Sequence, residues 1–300
     1  MSDFYESVGG LDRDGSVARA WSATTTAVPL KGLVIDRISQ HKRLTFHESG
    51  FLLEHSPGDV KMTVPSANQF PAIMYRKGIS DRAYATHSEF LWDIVPIIRL
   101  ELALLAQDGV RYLQLDAPRY SYYIDPKWRR YIQDDMGLDP DAALDEAIRA
   151  DNECLAGVRM RGSGAVLAIH LCRGNNRSQW YAEGGYDPIA ERLFAELDVD
   201  LFLLEYESER AGTFEPLRFV PKNKAVVLGL ASSKVPALES QDELRRRIDE
   251  ASRYVPLERL ALSPQCGFAS AMEGNLLTED DQWRKLELVV ETARKVWSDA

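Results

Sequence analysis

Three segments of this 300-residue chain decide its fold: AVLAIHLCRGNN (165–176), VDLFLLEYESER (199–210) and RLALSPQCGFAS (259–270). In each of them, a short and nearly all-apolar run passes directly into a polar loop. Such runs are typical of strands in a parallel sheet that helices cover. We predict three further strands of this kind, in VKMTVPSAN (60–68), RYLQLDAP (111–118) and KAVVLGL (224–230).

Amphipathic stretches between these runs predict helices. Residues 84–108 form the longest, which we expect to end at Gly109. Residues 139–158 begin with Asp139 as N-cap and Pro140 in the first turn, a combination that favours a helix start. Further helices are predicted at 187–197, 241–253 and 279–298. Strands that alternate with helices indicate an α/β fold.

Polar side chains follow several different strands, and this favours a TIM-type (β/α)₈ barrel over an open doubly wound sheet. In a barrel the C-terminal strand ends converge on one rim. An open sheet would also usually carry a glycine-rich turn after its first strand. Only six strands are convincing, however, because GLVIDRI (32–38) and FLLEH (51–55) look like a hairpin or edge strands. We expect one domain over 1–300, with an irregular, hairpin-containing region at 1–59.

Composition narrows the class of protein. The chain has 46 acidic and 36 basic residues and a formal net charge of −10, which argues against nucleic-acid or anionic-membrane partners. No apolar run reaches the roughly 18 residues of a membrane helix. Three cysteines do not make a disulfide framework, and the acidic N-terminus does not resemble a secretory signal. We therefore predict a cytoplasmic protein.

Four residues at strand ends suggest a zinc site: His170, Cys172, Glu205 and Cys266. Side chains two apart on a strand point to the same face, so His170 and Cys172 can reach one ion. Two thiolates, an imidazole and a carboxylate suit tetrahedral Zn²⁺. The alternative is structural, since a buried cysteine is often a small core hydrophobe and a strand-end histidine is often only hydrogen-bonded. Cys154, within a helical pattern, is predicted to be structural.

The motifs HLCRGNN (170–176), LLEYESERAG (203–212) and SPQCGF (263–268), with LQLDAP (113–118) before them, resemble the catalytic barrel of cobalamin-independent methionine synthases from about residue 60 onward. The resemblance implies that the four residues above hold Zn²⁺. It further implies that the zinc activates homocysteine as a thiolate, which takes a methyl group from 5-methyltetrahydrofolate. Asp116 matches the position that holds the substrate amino group, so it is a candidate catalytic and substrate-binding residue.

Departures from the family pattern matter equally. Ala117 replaces a second acid, and Ala231 stands where these synthases carry a histidine near the reacting methyl group. The first two strand–helix units have no counterpart, so either the start is truncated or another subunit completes a reduced barrel. An open barrel would leave a sheet edge for a partner to cover, and a homodimer is then the natural expectation.

Several alternatives therefore stay open. A related branch of the superfamily uses the same zinc arrangement to open epoxides with coenzyme M, and a non-catalytic zinc-binding barrel would also fit the losses. The uroporphyrinogen decarboxylase branch, which needs no zinc, is disfavoured by the four ligands. Arg173 and Asn175 are the predicted substrate-binding residues on the rim, beside a small-molecule thiol and a methyl or alkyl donor. Arg119 could clamp a carboxylate or sulfonate, although an arginine lying over surface tyrosines is the ordinary outcome.

Overall fold

All six predicted parallel strands are present in the computed structural model, which describes residues 2–21 and 26–297. The strands are β1 (Val8–Trp21), β2 (Thr26–Gln40), β3 (Lys61–Pro65), β4 (Tyr112–Asp116), β5 (Val166–Leu171), β6 (Leu201–Glu205), β7 (Ala225–Ala231) and β8 (Leu260–Pro264). The α-helices are α1 (Ser2–Ser7), α2 (Phe46–His55), α3 (Gln69–Met74), α4 (His87–Gln107), α5 (Pro126–Asp134), α6 (Pro140–Arg159), α7 (Asp187–Glu196), α8 (Gln241–Ala251) and α9 (Glu279–Val296). Short 3₁₀ helices lie at Ser80–Arg82, Pro118–Tyr123, Glu209–Ala211, Glu215–Phe219 and Leu257–Arg259.

Strands β3 to β8 form one parallel sheet in which each strand pairs with the next along the chain. Asp116, the last residue of β4, lies opposite His170 of β5. Glu205, the last residue of β6, lies opposite Gly229 of β7. Within the described ranges, β3 and β8 are the two edges of this sheet. Because the strands run the same way, their polar C-terminal residues gather along one rim.

One face of the sheet forms the core. Phe202 and Leu204 of β6 are buried on this face, and α4 and α6 pack against each other beside it. Full burial of such a side chain contributes roughly 1.5–3 kcal/mol to stability. None of the helices in the described part of the chain combines the length and apolar character that a membrane crossing needs.

The helix starts follow their capping residues. Asp139 accepts hydrogen bonds from the backbone N–H groups of Asp141 and Ala142, as predicted for the start of α6. Helix α4 begins three residues later than predicted, because the Thr86 side chain accepts from the N–H of Glu89 and fixes the helix start there. The other predicted helices are present with ends that differ by no more than two residues.

The opposite face of the sheet is more open. Lys61 and Thr63 of β3 are exposed, and Leu203 of β6 is half-buried, although the residues between them on each strand are buried. Lys61 donates a hydrogen bond to Gln114 across this face at 3.2 Å. Lys61, Gln114, Leu203 and Gly229 line a cavity of about 270 Å³ on this face. The sheet therefore has one packed face and one face that can admit other atoms.

The N-terminal region confirms one prediction and corrects another. Strands β1 and β2 pair as an antiparallel hairpin, and β2 includes the predicted stretch 32–38. The prediction of a strand at 51–55 is wrong, since this stretch is the end of helix α2. Its apolar residues are consecutive rather than alternating, and the Phe51 ring stacks on His55 one helical turn later, with ring centroids 4.2 Å apart.

Glu101 of α4 fixes the N-terminal region to the rest of the fold. Its fully buried carboxylate accepts hydrogen bonds from the Leu44 N–H at 2.9 Å and the Thr45 hydroxyl at 2.5 Å. It also pairs with the Arg43 side chain at 3.0 Å. A buried carboxylate needs such partners, so we interpret Glu101 as a structural anchor.

Candidate metal centre

Three of the four predicted metal ligands meet at the rim. His170 lies on β5, Cys172 follows that strand directly, and Cys266 follows β8. One ligand atom from each lies within 4.8 Å of the others. Cys266 reaches the cluster because the loop after β8 folds back, with the N–H of Gln265 donating to the carbonyl of Ala231 at 2.8 Å. An imidazole and two thiols at this spacing are the donor set that Zn²⁺ prefers.

His170 is oriented by Asp116. The Nδ1 atom of His170 lies 2.8 Å from Oδ1 of Asp116, and its Nε2 atom lies 3.3 Å from the carbonyl oxygen of Gln265. Metal-binding histidines usually donate their second ring N–H to a carboxylate in this way. Burial alone would lower the pKa of His170, but the Asp116 hydrogen bond and the charge of Cys266 raise it to about 9. The site therefore stabilises a cation at this place.

The pKa values of the two thiols are shifted in opposite directions. A hydrogen bond from Cys172, together with the positive charge of His170, lowers the pKa of Cys266. The same hydrogen bond and burial raise the pKa of Cys172 well above its ordinary value. Only the thiolate form binds metal ions, so Cys266 is the thiol already prepared for that role.

Glu205 stands beside the three-residue cluster but is engaged elsewhere. Its buried carboxylate accepts the N–H of Arg173 at 2.8 Å and pairs with the Arg210 guanidinium at 2.5 Å. Burial would raise the pKa of Glu205, but the charges of Arg210 and Arg173 lower it. The structure thus places Glu205 next to Cys172 along the rim without adding its oxygens to the cluster, and its role as a ligand stays a prediction.

Arg173 has a different setting from the predicted one. Its side chain is 1% exposed and donates hydrogen bonds to the carbonyl oxygens of Gly184, Glu205 and Ala211. The guanidinium also stacks on the Tyr186 ring, 4.5 Å from its centroid. These contacts hold the loops after β5 and β6 together. They use the guanidinium for protein oxygens, and the predicted contact of Arg173 with a substrate stays a prediction.

Asn175 joins the loop after β5 to the loop after β8. Its Nδ2 atom donates to the Gly267 carbonyl at 2.7 Å and to the Ser270 hydroxyl at 3.0 Å. Its Oδ1 atom accepts from the buried Lys234 ammonium at 3.2 Å. Asn175 also lines the cavity beside the thiols, so its predicted contact with a substrate stays open. Its direct effect is to hold the Cys266 loop over His170 and Cys172.

A cavity of about 330 Å³ opens directly onto the cluster. This volume is typical of a pocket for a small ligand. Asp116, whose side chain is 39% exposed, lies on its wall together with the metal-binding candidates. The remaining wall residues come mainly from the loops that follow the strands: Gln69, Pro118, Arg119, Gly174, Asn175, Tyr181, Gly267 and Ser270.

Comparisons with known proteins show the family to which the chain belongs. A family model described as "Cobalamin-independent synthase, Catalytic domain" matches residues 72–294. The chain belongs to this family. The match spans the five parallel strands from β4 to β8 and includes every residue of the cluster.

Relatives of this cobalamin-independent synthase chain include an uncharacterized protein, YxjH of Bacillus subtilis (strain 168). The two are 40% identical over 238 residues, which is 79% of this chain and 61% of YxjH. The chain therefore spans less than two thirds of that relative's length.

Two solved structures share the fold. A B12-independent methionine synthase from Shewanella sp. W3-18-1, in complex with selenomethionine, is 16% identical, with a TM-score of 0.75 over 99% of this chain and 78% of that one. A putative vitamin-B12 independent methionine synthase from Listeria monocytogenes is 27% identical, with a TM-score of 0.68 over 98% of this chain and 77% of that one. The fold of the present chain is thus that of B12-independent methionine synthases.

Sequence reasoning missed two features of the candidate site. The first is the Asp116–His170 pair, which depends on strand register: the two residues end neighbouring strands, but the sequence alone does not fix their alignment. The second is Arg119, which the sequence favoured as a surface residue. The structure buries it to 6% exposure in the cavity wall. The run of tyrosines around Arg119 is the only sequence signal that could have indicated such burial.

Proposed function

We propose that this chain is a zinc-dependent methyltransferase that transfers a methyl group to a thiol, with homocysteine as the acceptor and 5-methyltetrahydrofolate as the donor. The observation that carries the proposal is the cluster of His170, Cys172 and Cys266 on the wall of a ligand-sized cavity. Family membership and the names of the solved relatives support the reaction class.

The residues of the site fit Zn²⁺ on their own chemistry. One imidazole and two thiols converge, and an oriented carboxylate stands behind the imidazole. When bound, the ion would act as a Lewis acid that makes a substrate thiol more acidic and hence nucleophilic at neutral pH. His170, Cys172 and Cys266 would hold it.

The protein's own groups would prepare this centre. Asp116 would accept the Nδ1 proton of His170, so that Nε2 can give up its proton and bind a metal. Asn175 and Ser270 hold the loop that carries Cys266 in place. The part of Asp116 that stays exposed to the cavity could also accept a hydrogen bond from a substrate amino group. We infer that Asp116 serves both purposes.

Glu205 remains our proposed fourth ligand. The Arg173 N–H contacts one oxygen of its carboxylate, and the Arg210 guanidinium contacts the other. To bind the metal, the carboxylate would have to give up its contact with Arg210. A carboxylate with such a ready alternative partner is well suited to yield its place to an incoming sulfur. The Arg210 pair would then receive the released carboxylate.

We also infer that the sheet represents six units of a (β/α)₈ barrel within a single catalytic domain. The sequential order of the six parallel strands supports this, as does the open inner face with its 270 Å³ cavity. A cytoplasmic location and a homodimer stay predictions. A small-molecule thiol and a methyl donor are the partners that the proposed reaction needs.

Metal analysis and methyl transfer test the proposal together. We expect about one zinc per chain as purified and methionine formation from homocysteine and 5-methyltetrahydrofolate. Cys266→Ser should strongly lower both the zinc content and the rate of methionine formation. The matched control is Cys154→Ala, since Cys154 is fully buried in α6 away from the cavity and should leave both unchanged. A zinc-free protein, or equal turnover by the Cys266 variant, would overturn the proposal.

A further inference from the structure

Arg119 is a buried cation without a carboxylate partner. It is 6% exposed and lies in the wall of the cavity that contains Cys172 and Cys266. Its Nη1 donates to the Tyr122 hydroxyl at 2.7 Å, whereas its buried Nε–H meets no acceptor. No Asp or Glu of the described residues forms an ion pair with it. Burial lowers the pKa of Arg119, but the neighbouring Tyr122, Tyr181 and Cys172 side chains raise it.

The surroundings of Arg119 hold the guanidinium in one place. Its central carbon lies 5.0 Å from the centroid of the Tyr122 ring and 4.8 Å from that of Tyr181. These rings are themselves fixed, because Tyr122 stacks on Trp128 and the Tyr181 hydroxyl donates to the Pro118 carbonyl at 2.8 Å. Aromatic faces stabilise a cation but provide no counter-charge.

A second unpartnered group lies on the same wall. The side chain of Gln69 is 8% exposed, and its Oε1 atom has no hydrogen-bond partner. Two buried polar atoms without a hydrogen-bond partner, Nε of Arg119 and Oε1 of Gln69, thus belong to residues that line one cavity, which indicates a ligand with polar atoms of its own. Burying an arginine without an anion is unfavourable, so the missing partner of Arg119 is an anionic group.

We propose that Arg119 binds the carboxylate of the thiol substrate and thereby selects carboxylate-bearing thiols. A planar guanidinium matches a carboxylate in shape and donors. The thiol-binding cluster and Arg119 line the same cavity of about 330 Å³, so a single small molecule can reach both. The inference rests on the proposed function for the identity of the thiol-bearing ligand.

The test compares homocysteine with 3-aminopropane-1-thiol, which has the same thiol and amine but lacks the carboxylate. Dissociation constants would be measured on the full chain loaded with Co²⁺, from the thiolate-to-cobalt absorption band. We expect the wild-type chain to favour homocysteine by at least about tenfold, as for loss of one charge-assisted hydrogen-bonded pair. Arg119→Met should bring this ratio close to one while metal content stays the same. Arg119→Lys should retain part of the preference.

A matched control is Arg129→Met. Arg129 lies on the neighbouring helix α5, but it already pairs with Asp141 and donates to the Tyr123 carbonyl. Its substitution should leave the preference for homocysteine unchanged. A preference that survives in Arg119→Met at its wild-type size would overturn the proposal, as would an equal loss in Arg129→Met.

Calorimetric titration with butyrate separates this inference from the proposed function. Butyrate carries the anion but no thiol, and the titration uses the metal-free chain because a carboxylate can itself bind a metal ion. We expect butyrate to bind the wild-type chain more tightly than the folded Arg119→Met and Arg119→Lys chains. If no thiolate band appears with either thiol, the proposed function fails. The butyrate titration then remains as the test of whether Arg119 binds a carboxylate. Equal butyrate behaviour in wild-type and Arg119→Met chains would reject the role of Arg119.

Discussion

Two buried polar clusters lie behind the C-terminal ends of the strands, and only one of them opens onto a cavity. In the closed cluster, the carboxylate of Asp151 in α6 accepts hydrogen bonds from the Ser66 hydroxyl at 2.7 Å and the Tyr120 hydroxyl at 2.9 Å. It also accepts the N–H of Ala67 at 3.2 Å. In the open cluster, the donor atoms of His170, Cys172 and Cys266 face the 330 Å³ cavity.

The two clusters differ in the groups that act as hydrogen-bond partners for their polar atoms. Asp151 accepts from three donors, on Ser66, Ala67 and Tyr120, and so joins the loops after β3 and β4 to α6. The thiol cluster leaves its ligand atoms to one another and to whatever enters the cavity. Residue type alone would mark both clusters as functional candidates. The comparison indicates that the Asp151 cluster stabilises the fold and the thiol cluster binds a ligand.

The largest effect that separates the clusters is on metal affinity. Cys266→Ser should weaken zinc binding about a thousandfold, or about 4 kcal/mol, because roughly 10–16 kcal/mol of zinc binding is shared among four ligands. Competition with a chelator of known affinity measures this change. Asp151→Ala, the matching change in the closed cluster, should leave zinc affinity within about threefold of wild type, a difference of well under 1 kcal/mol.

The free energy of unfolding should show the opposite order: Asp151→Ala should lower it more than Cys266→Ser does. Asp151→Ala removes the acceptor of three donors, and we expect a loss of about 3 kcal/mol in the free energy of unfolding, since each orphaned buried group costs about 1–3 kcal/mol and hydroxyls can re-pair. Urea unfolding of the metal-free chain measures it. Equal stability losses for Asp151→Ala and Cys266→Ser would remove the distinction between the clusters.

The closed cluster also predicts a pH dependence. Burial raises the pKa of Asp151 to about 6, although its hydrogen bonds oppose the shift. Between about pH 4 and 6 the folded chain keeps this proton and the unfolded chain has lost it, so stability falls as the pH rises. The full effect is about 3 kcal/mol, from about two pKa units at 1.36 kcal/mol each.

Other carboxylates also titrate in this range, and Asp151→Asn isolates the contribution of Asp151. The stability of the wild-type chain relative to Asp151→Asn should be greatest below about pH 4 and should decline through pH 6. A difference that stays constant with pH would show that Asp151 titrates normally.

The smallest effect concerns the support of His170. Asp116→Asn keeps an acceptor for the Nδ1 proton but removes the negative charge, and we expect zinc affinity to fall about tenfold, the lower end of the range for such supporting groups. The free energy of unfolding of the metal-free chain should change little, because Asp116 is partly exposed. An unchanged zinc affinity would mean that Asp116 acts on the substrate alone.

Much of this arrangement could be predicted from the sequence. Apolar runs that end in His170, Cys172 and Cys266 identify both the strands and the side of the sheet on which these residues meet. A parallel sheet makes that inference reliable, since all C-terminal strand ends share one rim. The burial of Cys154 in α6 could be predicted from the helical periodicity of the segment that contains it.

The remaining features depend on contacts that periodicity does not encode. Register decides that Asp116 faces His170, and loop conformation decides that Arg173 turns toward the carbonyls of Gly184 and Ala211. The Arg210–Glu205 pair forms between a strand end and the short helix that follows it. The helix at 51–55 escaped prediction because consecutive apolar residues do not distinguish a short strand from a helix end.

X-ray absorption at the zinc edge, with and without homocysteine, tests the central claim most directly. The account predicts zinc bound by two sulfur ligands in the free chain, from Cys172 and Cys266, and by three when homocysteine is present. A chain that takes up no zinc would contradict the account. So would a zinc whose sulfur count stays the same when homocysteine is added.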